Sequence, residues 1–264
     1  MILDRAELVA EAVRTGTLAG LPGGHFIDGH FVDSASARRM ESFDPGRGKA
    51  FATVAAGDDA DIDRAVAAAR AALSGPWSRL SPAQRGDILM RASRLIAERA
   101  ARFAVVETLD SGKRLAEAEG DVGGVVKAFA YYAGAADKLH GDSMPLGHDH
   151  IGLTIEEPVG VAAQIVPWNY PLSTAARGIA PALAAGCTLV VKPAEQTPFT
   201  TLMLAELLHE AGLPAGVLNV VAGTGAEAGA ALVAHPGIDH ITFTGSVATG
   251  QRVMRAAAEH VTRL

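Results

Sequence analysis

From residue 159 onward the chain alternates short apolar runs with longer stretches of helical spacing. VGVAAQIV, CTLVVKP, VLNVVAG and IDHITFTG each fit a strand buried on both faces. Between and after them, 172–185, PFTTLMLAELLHEAG, about 226–234 and VATGQRVMRAAAEH carry the 3.6-residue period of helices, the second closed by Gly212. Alternating strands and helices predict an α/β fold, a Rossmann-like parallel sheet with right-handed crossovers and flanking helices. Ligands of such sheets gather at the carboxyl ends of the strands. Function is therefore to be sought in the four loops that follow these strands.

Upstream, DADIDRAVAAARAAL (59–73) predicts a helix with acids in its first turn, broken by GPW. Ser81-Pro82-Ala83-Gln84 is a strong helix start: a capping hydroxyl, a proline suited to the first helical position, and a Gln able to reach back. Apolar spacing through Ile88, Leu89, Leu95, Ile96 and Phe103 carries that helix to about 109, and another covers 117–138. Residues 140–158 have turn formers at their centre and extended runs on each side, which fits a hairpin or a plain surface loop. The expected division is a helical region over 1–139, a protruding hairpin over 140–158 and a nucleotide-binding core over 159–264.

Composition narrows the classes. A 264-residue chain that is 49% hydrophobic and 20% charged suits one large α/β domain or two small ones. A net charge of −6 argues against nucleic-acid or anionic-membrane partners, which need a basic face. The single cysteine, Cys187, excludes an internal disulfide. The first residues are charged and amphipathic rather than a secretory signal, and no apolar run approaches the roughly 20 residues that span a bilayer. The expectation is a cytoplasmic protein with no metal site.

Each strand-end loop admits a plain structural reading beside a functional one. In Pro167-Trp168-Asn169-Tyr170-Pro171 two prolines stiffen the backbone around an amide that could donate to a developing oxyanion, or simply close a turn. After the second strand, Glu195 stands where an acid takes the ribose hydroxyls of a dinucleotide and repels a 2′-phosphate, with Lys192 as a further donor; otherwise the two form a surface ion pair. Gly223-Thr224-Gly225 is only a fragment of a phosphate loop, and its glycines serve equally for close backbone approach. Phe243-Thr244-Gly245-Ser246 opens a helix directly after a strand, which suits an anion and an N-cap at once.

Together these loops resemble the NAD(P)-dependent aldehyde dehydrogenase superfamily, in its cofactor-binding half. The matching stretches are VGVAAQIVPWNYPL, ALAAGCTLVVKPAEQTP, AGLPAGVLNVVAG and HITFTGSVATG, preceded by FIDGHFVDSAS, FDPGRGKAFATVAAGDDADIDRAVAAARAAL, ETLDSGK and YYAGAADKLHG. The resemblance implies that Asn169 helps stabilise the oxyanion, that Lys192 and Glu195 hold the adenosine ribose, and that Ser246 meets the pyrophosphate. It further implies that Ile165, Val166, Pro167 and Trp168 line the cofactor cleft together with Phe243, Thr244 and Gly245, and that Gly225 and Val253 border the adenine. The implied cofactor is NAD, with NADP less favoured, the substrate a small aldehyde oxidised to a carboxylic acid, and the assembly a homo-oligomer using the 140–158 hairpin.

The same resemblance implies a general base in a Glu-Leu-Gly-Gly strand and, beyond it, a cysteine nucleophile. Neither occurs in these 264 residues. Cys187 opens the second strand among apolar neighbours, at the sheet end away from the ligand edge, and reads as a structural thiol. The expectation is thus a chain truncated ahead of its chemistry and inactive alone. The alternatives are a non-catalytic NAD-binding module and a fragment impaired in folding.

Overall fold

The computed structural model describes residues 4–264. Helix α1 (Arg5–Thr15) starts in a capping box between Asp4 and Glu7 and stops at Gly16 in the left-handed region. Two antiparallel hairpins follow, β1 (His25–Ile27) with β2 (His30–Val32) and β3 (Arg39–Asp44) with β4 (Lys49–Ala55). The first turns at Asp28-Gly29, both at positive φ (52° and 82°), the turn geometry that matches strand twist. Next come α2 (Asp59–Leu73), α3 (Pro82–Glu98), α4 (Ala100–Ser111) and α5 (Leu115–Ala135). Strands β5 (Ser143–Pro145) and β6 (Ile151–Leu153) pair antiparallel as a short outlying hairpin.

The remaining elements alternate: β7 (Val161–Ile165), α6 (Pro171–Ala185), β8 (Thr188–Lys192), α7 (Phe199–Glu210), β9 (Leu218–Val220), α8 (Ala230–Ala234), β10 (His240–Phe243) and α9 (Val247–Glu259). Their strands form a six-stranded sheet in the order β10-β7-β8-β9-β1-β2. The first four are parallel, while β1 joins β9 antiparallel and carries β2 to the edge. On the other edge Arg263 lies alongside β10, its carbonyl accepting from Ile241 N at 2.8 Å.

Strand periodicity splits the interior in two. Leu189, Val191, Leu218 and Val220 face α3 to α7, while Val190, Val221, Val161 and Ala163 face α2, α8 and α9. Each such side chain, fully buried, contributes on the order of 1.5–3 kcal/mol. The outcome is a three-layer α/β/α arrangement, which leaves the carboxyl ends of the parallel strands open for loops.

Two expectations need correction. The helix expected to run from 82 to about 109 is two helices, because Arg99 leaves helical geometry (φ −106°, ψ 14°). Its guanidinium forks onto both carboxylate oxygens of Glu210 on α7, and α4 turns away to pack on α1 and α7. No glycine or proline marks that break. The region 1–139 is also not purely helical: it contains four strands, two of which extend the main sheet.

Helix α4 does more than fill space. The first residues of α6 and α7 follow Tyr170 and Pro198, and neither makes a side-chain cap. At the start of α7 two buried carboxylates one turn apart on α4 serve instead. Asp110 Oδ2 accepts from Phe199 N at 3.0 Å, and Oδ1 accepts from Ser42 Oγ at 2.9 Å. Glu107 accepts from Thr200 Oγ1 at 2.7 Å and from Lys113 Nζ at 3.1 Å, and the Leu172 amide also favours its charged form. Burial raises both pKa values above the ordinary carboxylate range, Asp110 well above.

Candidate functional site

At the carboxyl ends of the parallel strands, α9 and α8 with its preceding turn wall a cleft of about 630 Å³. Its lining includes Ile165, Gly225, Gly229, Phe243, Arg252 and Val253. Another hollow, of about 560 Å³, lies between α1, α4 and α7, and none of the strand-end loops reaches it. Among the described residues there is no cluster of metal-ligating side chains, and no helix is long and apolar enough to cross a membrane.

The two glycines after β9 separate cleanly. A Cβ on Gly223 would sit 2.8 Å from Ala228 Cβ and 2.9 Å from Gly57 O, so that glycine serves close packing. A Cβ on Gly225 would meet nothing within 4 Å. Gly225 starts a wide helical turn over Gly225–Gly229, capped by Thr224 Oγ1, which accepts from Glu227 N at 3.2 Å. Gly225, Ala226, Gly229 and Ala230 give that turn a floor almost free of side chains, shaped for a flat group.

Lys192 ends β8. Its Nζ lies 3.1 Å from Glu195 Oε2, and its side chain is only 3% exposed while that of Glu195 is 38% exposed. The pair is therefore no ordinary surface bridge. Burial pushes the Lys192 pKa down, only partly offset by Glu195. Burial also works against the Glu195 carboxylate, but Lys192 and the backbone amides of Glu195 and Gly225 outweigh it and hold its pKa below the usual value. Glu195 thus stays ionised, its exposed side free to accept from hydroxyls.

After β10 the loop is folded tightly. The Thr244 N–H reaches Ile165 O at 3.4 Å, and a Cβ on Gly245 would lie 2.6 Å from the tip of the Phe243 ring, so a side chain there would displace that ring. Ser246 Oγ accepts from Thr249 N at 3.2 Å and caps α9. Thr249, Arg252 and Val253 of α9 line the cleft.

The loop after β7 lies apart from the 630 Å³ cleft. Val166 N donates to Lys192 O at 3.0 Å, which ties it to β8. Pro167 is half-buried, and Trp168, Asn169 and Tyr170 are exposed. The Asn169 side chain hydrogen-bonds to no described residue, so it does not close a turn on its own backbone. Its amide is free to donate outward. Cys187 is buried at the opposite, amino end of β8.

Of the residues singled out in the sequence, Ile165, Gly225, Phe243 and Val253 line one cleft, and Lys192 adjoins it, its Cδ 3.7 Å from the Cβ position of Gly229. Glu195 and Ser246 sit at its margins, while Trp168 and Asn169 stand outside it. Sequence reading missed Ala226, Gly229, Ala230 and Arg252. The four-residue spacing of small residues in GAEAGA was the available signal. It also missed Glu107, Lys113 and Asp110, whose relation to these loops is purely tertiary.

Residues 31–264 match the profile described as "Aldehyde dehydrogenase family". Aldehyde dehydrogenase family 2 member C4 of Arabidopsis thaliana is 44% identical over 88% of this chain and 47% of its own length. An aldehyde dehydrogenase from Bacillus cereus, solved as an NAD+ complex, superposes with a TM-score of 0.90 at 42% identity, covering 91% of this chain and 49% of that one. The P. syringae indole-3-acetaldehyde dehydrogenase, also solved with NAD+, gives 0.93 at 40% identity, covering 99% and 52%. The chain spans about half the length of the relatives it matches. With identities this high over nearly all of its residues, the chain belongs to the aldehyde dehydrogenase family.

Proposed function

We propose that this chain seats NAD for the oxidation of an aldehyde to a carboxylic acid. The observation that carries the reading is the buried Lys192 bonded to the ionised Glu195, beside the open backbone of Gly225. In this reading the adenine lies on the Gly225–Gly229 turn against Val253, and Glu195 and Lys192 take the ribose hydroxyls. Ser246 and the amides opening α9 meet the pyrophosphate. Ile165, Val166, Pro167, Trp168, Phe243, Thr244 and Gly245 flank the path toward Asn169. Two relatives solved with NAD+ support that choice of cofactor, and a carboxylate at 195 disfavours the 2′-phosphate of NADP. When bound, NAD supplies the hydride acceptor. Asn169 donates its amide to the oxygen of the aldehyde as negative charge develops there.

Cys187, the sole thiol of these 264 residues, is 5% exposed and lies at the wrong end of β8 to meet an aldehyde beside Asn169. The nucleophile and the water-activating base of the reaction then come from outside these residues. A cytoplasmic location and self-association through 140–158 belong to the same reading, the latter supported by exposed Met144, Leu146, Ile151 and Leu153.

Comparative titration with NAD and NADP tests the cofactor assignment. The wild-type chain should prefer NAD, and Glu195→Gln should weaken NAD binding and narrow the preference about tenfold or more, the usual loss for a charged hydrogen bond. An unchanged ratio in Glu195→Gln would remove Glu195 from the ribose site.

A further inference from the structure

Apart from its two prolines, the loop that presents Asn169 has no side-chain hydrogen bond of its own to hold its shape. Asn169 takes no partner, Trp168 is exposed, and Tyr170 opens α6 without capping it. What holds it comes from the turn between α4 and α5. The Lys113 ammonium lies over the Tyr170 ring, 4.5 Å from its centroid. It is shared between Glu107 Oε1 at 3.1 Å and Asp121 Oδ2 at 2.6 Å. Glu107 in turn is wholly buried and is itself held by Thr200 Oγ1 of α7 at 2.7 Å, which fixes it under the ammonium.

We propose that Lys113 and Glu107 are positioning residues for Asn169, clamping its loop from beneath through the Tyr170 ring. The proposal rests on the reading of Asn169 as an oxyanion donor. The physical case is direct. A mostly desolvated ammonium over an aromatic face is worth more than an exposed one. The neighbouring carboxylates fix that ammonium in place, and burial alone would lower its pKa, yet Asp121 and Glu107 keep it charged. Pro171 stiffens the backbone directly after the clamped Tyr170. A small displacement of the loop would misdirect a donor that must meet a developing charge at hydrogen-bond distance.

Deuterium exchange of the full chain tests this without reference to cofactor. Lys113→Met should speed exchange at residues 168–173 roughly tenfold, while peptides in β8 and β9 stay unchanged. Lys113→Arg and Tyr170→Phe, which keep cation and ring, should match wild type. Because Lys113→Met strands the Glu107 charge, the pair Lys113→Met with Glu107→Gln is the control: it should regain overall stability and still exchange fast at 168–173. Unchanged exchange at 168–173 in both Met variants, or acceleration spread over the whole chain in the double variant, would overturn the clamp. NAD titration of the same proteins keeps the two readings apart. A wild type that binds no NAD but shows the local exchange pattern would sink the cofactor reading and leave the clamp standing.

Discussion

The ammonium of Lys192, almost completely buried, has one ionic partner among the described residues, the partly exposed carboxylate of Glu195 at 3.1 Å. Breaking such a pair from one side leaves a charge in low dielectric, which costs far more than removing both charges. Glu195→Leu should therefore destabilise the chain by about 2 kcal/mol, a figure reduced for solvent access at Glu195. Adding Lys192→Met to Glu195→Leu should recover most of that loss, since the stem of residue 192 still packs beside Gly229. Urea denaturation of the single and double variants measures the coupling, and additive losses would show that the pair is not an energetic unit.

Ser246 caps α9 and stands where the pyrophosphate is proposed to lie, and two substitutions separate these roles. Ser246→Ala should cost about 1 kcal/mol of stability through loss of the cap. Ser246→Asp preserves the cap, so its melting temperature should stay near wild type, but its charge should repel the phosphates and weaken NAD binding. Tight NAD binding by Ser246→Asp would place the pyrophosphate elsewhere.

His25 gives the fold a pH dependence. It is fully buried on β1, its Nδ1 accepts from the Ala222 amide at 3.2 Å, and its Nε2 lies 3.4 Å from Asp61 Oδ2, too poorly aligned for a full hydrogen bond. Burial lowers its pKa below 6.5, partly opposed by Asp61 and Asp58 and reinforced by Arg64. A histidine depressed in the folded state lends stability that is complete above its unfolded pKa and drains as pH falls toward the folded one. Protonation would also set an Nδ1 proton against the Ala222 N–H, just ahead of Gly223 and Gly225. Stability should decline from about pH 6.5 downward, more steeply than in His25→Gln, whose side-chain carbonyl can still accept but does not titrate. Chemical denaturation at several pH values between 7.5 and 5 checks this, and parallel curves for the two proteins would contradict it.

The parallel core was legible because each of its strands is an apolar run with punctuated ends, and because Ser81, Pro82 and Gln84 spell a helix start that the structure reproduces bond for bond. The Asp28-Gly29 turn carries an equally plain signal, an Asp-Gly pair flanked by Phe26, Ile27, Phe31 and Val32. The break at Arg99 was not legible, since no glycine or proline marks it and the partner Arg99 finds there, Glu210, lies on a helix far away in sequence. Loop positions in the sequence pointed to Lys192, Glu195 and Ser246 as candidates. The burial of Lys192, the bare floor of the Gly225–Gly229 turn and the service of Glu107 and Asp110 to the start of α7 exist only once the chain is folded, because each depends on contacts between residues far apart in sequence.

The structure of this chain with NAD bound tests the central claim most directly. The account predicts the adenine between the Gly225–Gly229 turn and Val253, the ribose hydroxyls on Glu195 and Lys192, and the pyrophosphate at the start of α9 beside Ser246. NAD lodged in the hollow between α1, α4 and α7, or no bound NAD at millimolar concentration, would contradict it.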